Sequence, residues 1–110
     1  MGNDRELLEA AANAAWLKHN GFTSGRGLHV NGDPEYESGW WNPITNDGDA
    51  LRLAVKLALE IRPGVGMVTA AGNGVWEEVP TAEYSREEAT RRAIVQAAAA
   101  TRPRRVLGAA

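Results

Sequence analysis

The chain has 110 residues and a mass of 11.8 kDa, enough for one domain and too little to fill a second core. Hydrophobic residues at 44% and charged residues at 24% match the average globular protein and argue against disorder or a membrane protein. Twelve Lys and Arg against fourteen Asp and Glu leave a net charge of −2, too near balance for a protein whose main task is coating phosphate backbones. Nineteen residues are alanine, so the few large side chains, four Trp among them, must supply much of the apolar burial. With no cysteine, disulfides, thiolate metal sites and cysteine nucleophiles are excluded together. The opening MGNDRELLEA lacks the basic-then-apolar profile of a signal peptide, and no run approaches the roughly 20 apolar residues of a spanning helix. The expectation is a cytoplasmic protein.

In chain order, Asn3 or Asp4 caps a first helix whose apolar stripe is Leu8, Ala11, Ala12, Ala15 and Trp16. It is expected to run to about His19 and to stop at Asn20 and Gly21, residues that tolerate the left-handed closing conformation. Residues 21–43 carry five glycines and two prolines. Their only β-like runs are Leu28 to Val30 and Tyr36 to Trp41, around the turn formers Asn31, Gly32, Asp33 and Pro34, which predicts a loose hairpin or a long loop. A second helix opens near Asn46, with Asn46, Asp47 and Asp49 as caps and dipole partners. Within ALRLAVKLALE the polar residues Arg52, Lys56 and Glu60 recur every four positions, so one narrow stripe meets water and the rest reads as a buried, central helix ended by Pro63 and Gly64. Val65 to Ala71 and Val75 to Val79 flank Gly72, Asn73 and Gly74, a hairpin signal. Ser85 and Glu88 form a capping box before a third helix, whose inward face is Ala89, Ala93, Ile94, Ala97 and Ala98. The expected fold is α+β: a two-layer sandwich of about three helices on a small antiparallel sheet, in the order α-β(β)-α-β-β-α. It forms one domain over 1–100, with a flexible basic tail over 101–110.

No catalytic template is met. Ser24, Ser38 and Ser85 lie in no nucleophile elbow, and GRG, GVG and GNG lack the strand-to-helix context of a phosphate loop. Glu77–Glu78 and Glu87–Glu88 do not converge as paired acids would. Asp33, Glu35 and Glu37 beside His29 alternate as oxygen ligands could, yet a solvated rim explains them better, and neither a metal nor a cofactor is expected. His19 reads as a dipole partner of the first helix. Arg91 and Arg92, followed by Arg102, Arg104 and Arg105, make the C-terminal end the most basic region, able to meet phosphate or an acidic surface. Trp40 and Trp41, adjacent on a strand, must point to opposite sides of it, so one can enter the core while the other lies on a rim. Asn42 and Asp49 flank the turn into the second helix and read as its ties or as binding groups.

The run Trp41-Asn42-Pro43-Ile44-Thr45-Asn46-Asp47-Gly48-Asp49-Ala50-Leu51, continued by RLAVKL, resembles the WNPLTDDGDALRLAVKL signature of small proteins of tailed bacteriophages and prophages. TRRAIVQAAA resembles their C-terminal helix. More distantly, the aromatic-Asn-Pro turn leading into Asp-Ala and a helix is similar to the NinX and phage ABA-sandwich families. The resemblance implies an α/β sandwich and a phage or prophage accessory protein, and it brings no catalytic residues with it.

The leading expectation is therefore a non-enzymatic binding module for a host or phage protein, such as a defence component, or for a small ligand. Its surface would involve Trp40, Trp41, Asn42 and Asp49. One alternative is a nucleotide-binding or metal-assisted phosphate-handling domain using Arg91 and Arg92, and another is a DNA-associated phage regulator. A homodimer through the alanine-rich face of the first or third helix is a further expectation.

Overall fold

The computed structural model describes residues 4–30, 36 and 38–101. Three helices and two antiparallel three-stranded sheets make an α+β fold in the order α1 (Asp4–Ala14), β1 (Phe22–Thr23), β2 (Gly27–His29), β3 (Trp40–Trp41), α2 (Asp47–Lys56), β4 (Glu60–Pro63), β5 (Met67–Gly72), β6 (Val75–Pro80) and α3 (Arg86–Ala100). The fold class expected from the sequence holds, with two small sheets in place of one. Strands β1 and β4 are the additions. Glu60-Ile61-Arg62-Pro63 has a single buried-face residue, Ile61, so hydrophobic alternation could not announce it, and pairing to β5 through Ile61 and Ala70 makes it a strand. Among the described residues no helix is long and apolar enough to cross a membrane. From residue 102 onward, the expected tail lies outside the described residues.

Helix α3, and not α2, is the central element. It packs on α1, on α2 and on strands β5 and β6. Ala89, Ala93 and Ala97 join Val68, Ala70 and Val79 on the sheet side, while Ile94, Val95 and Ala98 join Leu8, Ala11, Ala12, Leu28, Trp41 and Leu53 on the other. Small residues let the helix axis approach both layers closely, which accounts for the alanine content better than helix propensity alone. Ala89, Ala93, Ala97 and Ala98 of α3, and Ala11, Ala12, Ala14 and Ala15 of the first helix region, are buried within the chain's own core, while Ala99 is half-buried and Ala100 exposed. On α2 the exposed face is wider than the polar stripe, because Leu51 and Val55 are 64% and 70% exposed.

The caps expected for α2 and α3 are present, and Asn3, expected to cap α1, lies outside the described residues. Asn46 Oδ1 accepts from Asp49 N at 2.9 Å and Ser85 Oγ accepts from Glu88 N at 3.0 Å. The stops do not match expectation. Helix α1 ends at Ala14, with Trp16 left-handed at φ 61° and Leu17 N donating to Ala12 O. Trp16 is thus 67% exposed and outside the core stripe, and His19, beyond the helix end, bonds the side chain of Asn13 in the last turn of α1. Helix α2 ends in the same way, with Ala58 at φ 54° and Leu59 N bonded to Ala54 O. Both closures pair carbonyls that a helix end otherwise leaves unsatisfied. A left-handed non-glycine residue costs roughly 1–2 kcal/mol. Ala58 is exposed, so Ala58→Gly should raise stability by about 0.5–1 kcal/mol after the extra freedom of glycine in the unfolded chain is subtracted; a chemical-denaturation midpoint at or below wild type would refute this. The hairpin turns on Asn73 and Gly74, both at positive φ, with Gly72 opposite Val75, as an Asn-Gly two-residue turn requires. The Asn73 amide also donates to Leu57 O and ties that turn to the end of α2.

Candidate functional site

The predicted alternation of the Trp pair sets the site. In the first sheet Leu28 pairs with Trp41 and His29 with Trp40. Leu28 and Trp41 are buried, at 0% and 1% exposure, while Trp40 is half-buried on the other face, where the His29 ring meets it edge-on with centroids 5.0 Å apart. Trp41 is therefore a core residue, and its indole Nε1 has no hydrogen-bond partner among the described residues. Gly27, at φ +92°, permits the pairing: a Cβ there would run into the Trp41 carbonyl oxygen and the Asn42 Cβ.

After β3 the chain turns through Asn42-Pro43-Ile44-Thr45 into α2, and nearly every polar group in the turn is used. Asn42 Oδ1 accepts from Ile44 N at 3.1 Å, as in an Asx turn. The Asn42 carbonyl accepts from Asn46 N at 2.9 Å. Asp49, 6% exposed, accepts from Asn42 N at 2.9 Å with Oδ2 and from Arg52 at 3.0 Å with Oδ1. That hydrogen bond is the main reason the Arg52 guanidinium is held above its ordinary pKa. Asn42 and Asp49 are thus ties of the turn, and the buried carboxylate has both oxygens paired, as its burial demands.

Trp40, Asn42 and Asp49 nonetheless line one cleft of about 490 Å³, together with Arg26, Tyr36, Ser38, Asn46 and Arg52. The Arg26 guanidinium lies over the Trp40 ring, 5.5 Å from its centroid, and that of Arg52 over Tyr36 at 5.2 Å. Arg26, Arg52 and Tyr36 were not singled out from the sequence. A lone Arg in a glycine-rich loop and an Arg in a solvent stripe carry no local sign of convergence, and only the return of the chain through β1, β2 and β3 brings them together.

Arg91 and Arg92 do not join this cleft, nor each other. Arg91 Nε donates to Ile44 O at 2.7 Å and its NH1 pairs with Asp47 at 2.7 Å, pinning the turn to α3. Residues 41–57 and helix α3 are therefore in direct contact. Arg92 sits over the Tyr84 ring at 4.9 Å and pairs with Glu88 and Asp4. Burial opposes its charge, but these carboxylates and the Tyr84 hydroxyl more than offset that and raise its pKa. It lines a broader depression of about 870 Å³ beside Asp4, Glu6 and Glu77, a setting that would repel a phosphate. Asp33, Glu35 and Glu37, the possible oxygen ligands, lie outside the described residues. The chain matches no family model, no curated protein and no solved structure.

Proposed function

We propose that this chain is a phage- or prophage-type accessory protein, non-enzymatic, that binds a host or defence component through the Trp40 cleft. One observation carries the reading. A half-buried Trp, two arginines stacked on aromatic rings and two Asn side chains are gathered at one cleft, over a turn already held by Asp49, Asn42 and Arg91. Trp and Arg are among the residues that most often dominate binding surfaces: Trp offers a large contact area with two torsions to freeze, and an Arg already seated on an aromatic ring has part of its freedom restrained. The resemblance of residues 41–57 to phage proteins supports the same reading, since it covers the turn beneath the cleft.

The test compares recovery of a bacterial partner on immobilised wild-type protein, Trp40→Ala and Trp76→Ala. Trp76 is 57% exposed on the other sheet and serves as the control. Trp40→Ala should stay folded and lose recovery about tenfold or more, as truncation of a binding anchor does, while Trp76→Ala retains it. Equal recovery by Trp40→Ala and wild type would remove this surface from the function.

A further inference from the structure

We infer that the Trp40 cleft is a site for a small oxyanion-bearing ligand, a phosphate monoester or a carboxylate; this rests on the cleft being the binding surface proposed above and names the chemistry it takes. Asn42 and Asn46 each commit the side-chain oxygen to a backbone N–H, of Ile44 and Asp49 respectively. Those bonds fix each amide so that its NH₂ group is what remains, and among the described residues neither NH₂ has a partner. Asp49, the one carboxylate lining the cleft among the described residues, has one oxygen on Asn42 N and the other on Arg52. At 6% exposure it presents little of its remaining acceptor capacity to a ligand.

The cations add to the excess of donors. Arg26 has no carboxylate partner among the described residues, and its seat over Trp40 restrains the guanidinium while its N–H groups stay available around the edge of the plane. Arg52 gives one nitrogen to Asp49, also hydrogen-bonds Tyr36 and is 45% exposed, so further N–H donors remain on its five-donor fork. Among the described residues the cleft therefore offers amide and guanidinium N–H groups, with two guanidiniums against one carboxylate; the hydroxyls of Tyr36, Ser38 and Thr45 can donate as well as accept, so donors outnumber acceptors. A ligand rich in acceptors and carrying negative charge satisfies that set; a cation or a donor-rich ligand leaves it unpaired. The positive end of α2 adds nothing to the argument, since Asp47 and Asp49 already meet it. A volume of about 490 Å³ suits a small molecule, within the roughly 300–1,000 Å³ range of ligand sites.

The experiment titrates the full chain with AMP, inorganic phosphate, benzoate and, as the uncharged control, adenosine, reading melting temperature and Trp fluorescence. At least one of the three anions should raise the melting temperature saturably, since a ligand of the native state stabilises it, while adenosine does not. Arg26→Gln should weaken that anion about tenfold, the ordinary value of a charge-assisted hydrogen bond, and Arg62→Gln, an exposed position on β4 outside the cleft, should leave its affinity unchanged. Response to phosphate alone assigns a phosphate site, to benzoate alone a carboxylate site, and to AMP alone a phosphate ester; each supports the inference. No saturable response to any anion, an equal response to adenosine, or an unaltered response in Arg26→Gln overturns it. If the anions fail while Trp40→Ala still loses its partner, the ligand chemistry is wrong and the binding surface stands; if both fail, the cleft is not the site.

Discussion

A Trp41→Ala chain will lose about 3–5 kcal/mol of stability, the usual result of emptying a buried aromatic site, from a total of about 5–15 kcal/mol for a domain. The indole is 1% exposed and packs in the cluster that holds Leu8, Leu28, Ile44, Leu53, Ile94 and Val95. Six residues of that cluster are alanine, which have no side-chain torsion with which to move into the emptied space, and this pushes the loss toward the upper end. Trp41→Phe should lose far less, because the smaller ring keeps most of the apolar contact and removes an indole N–H that is buried without a partner. Trp40→Ala should differ from wild type by no more than about 1 kcal/mol, consistent with its half-buried place. Urea denaturation of the three variants checks the ordering. A Trp41→Ala chain as stable as Trp40→Ala would show that the strand does not present its two Trp to opposite sides.

Gly27→Ala will be nearly as damaging, by about 3 kcal/mol or more, although it adds one methyl group. Two penalties combine. A φ of +92° is a conformation that side chains rarely adopt, at roughly 1–3 kcal/mol. The added Cβ also meets the backbone carbonyl of Trp41, which cannot swing aside as a flexible side-chain end would, so β2 and β3 must separate and loosen the Leu28–Trp41 pair. Gly25→Ala isolates the first penalty, because Gly25 has φ +91° and open space where its Cβ would go. Its loss should be only the conformational part. If equilibrium unfolding shows the two variants equally stable, the close approach of β2 to β3 is not the constraint described.

What the sequence disclosed depended on how local the controlling interaction was. Helix starts were legible because a capping side chain acts within three residues: Asn46 on Asp49 and Ser85 on Glu88. Helix stops were not, because Trp16 and Ala58 close their helices in a conformation that sequence reasoning reserves for Gly and Asn, so the signal was sought at Asn20–Gly21 and Pro63–Gly64 instead. That Trp40 and Trp41 face opposite sides follows from strand alternation, a rule of period two; which of them is buried does not, and is set by the pairing of Trp41 with Leu28. Arg26 and Arg52 illustrate the opposite case: each is brought to its aromatic partner, Trp40 or Tyr36, across a chain separation that no short pattern spans. Arg91 looked like a free basic group, and only the fold shows that it is a brace for the turn at Ile44 and Asp47.

Helix α3 has apolar side chains committed to both clusters, Ala89, Ala93 and Ala97 to one and Ile94, Val95 and Ala98 to the other. Neither the hairpin nor the first sheet can therefore detach while its counterpart remains intact, because the surface exposed would belong to a helix that the remaining half still needs. The molecule should melt as one cooperative unit, and slow amide exchange should concentrate along α3, where opening demands the loss of both halves at once.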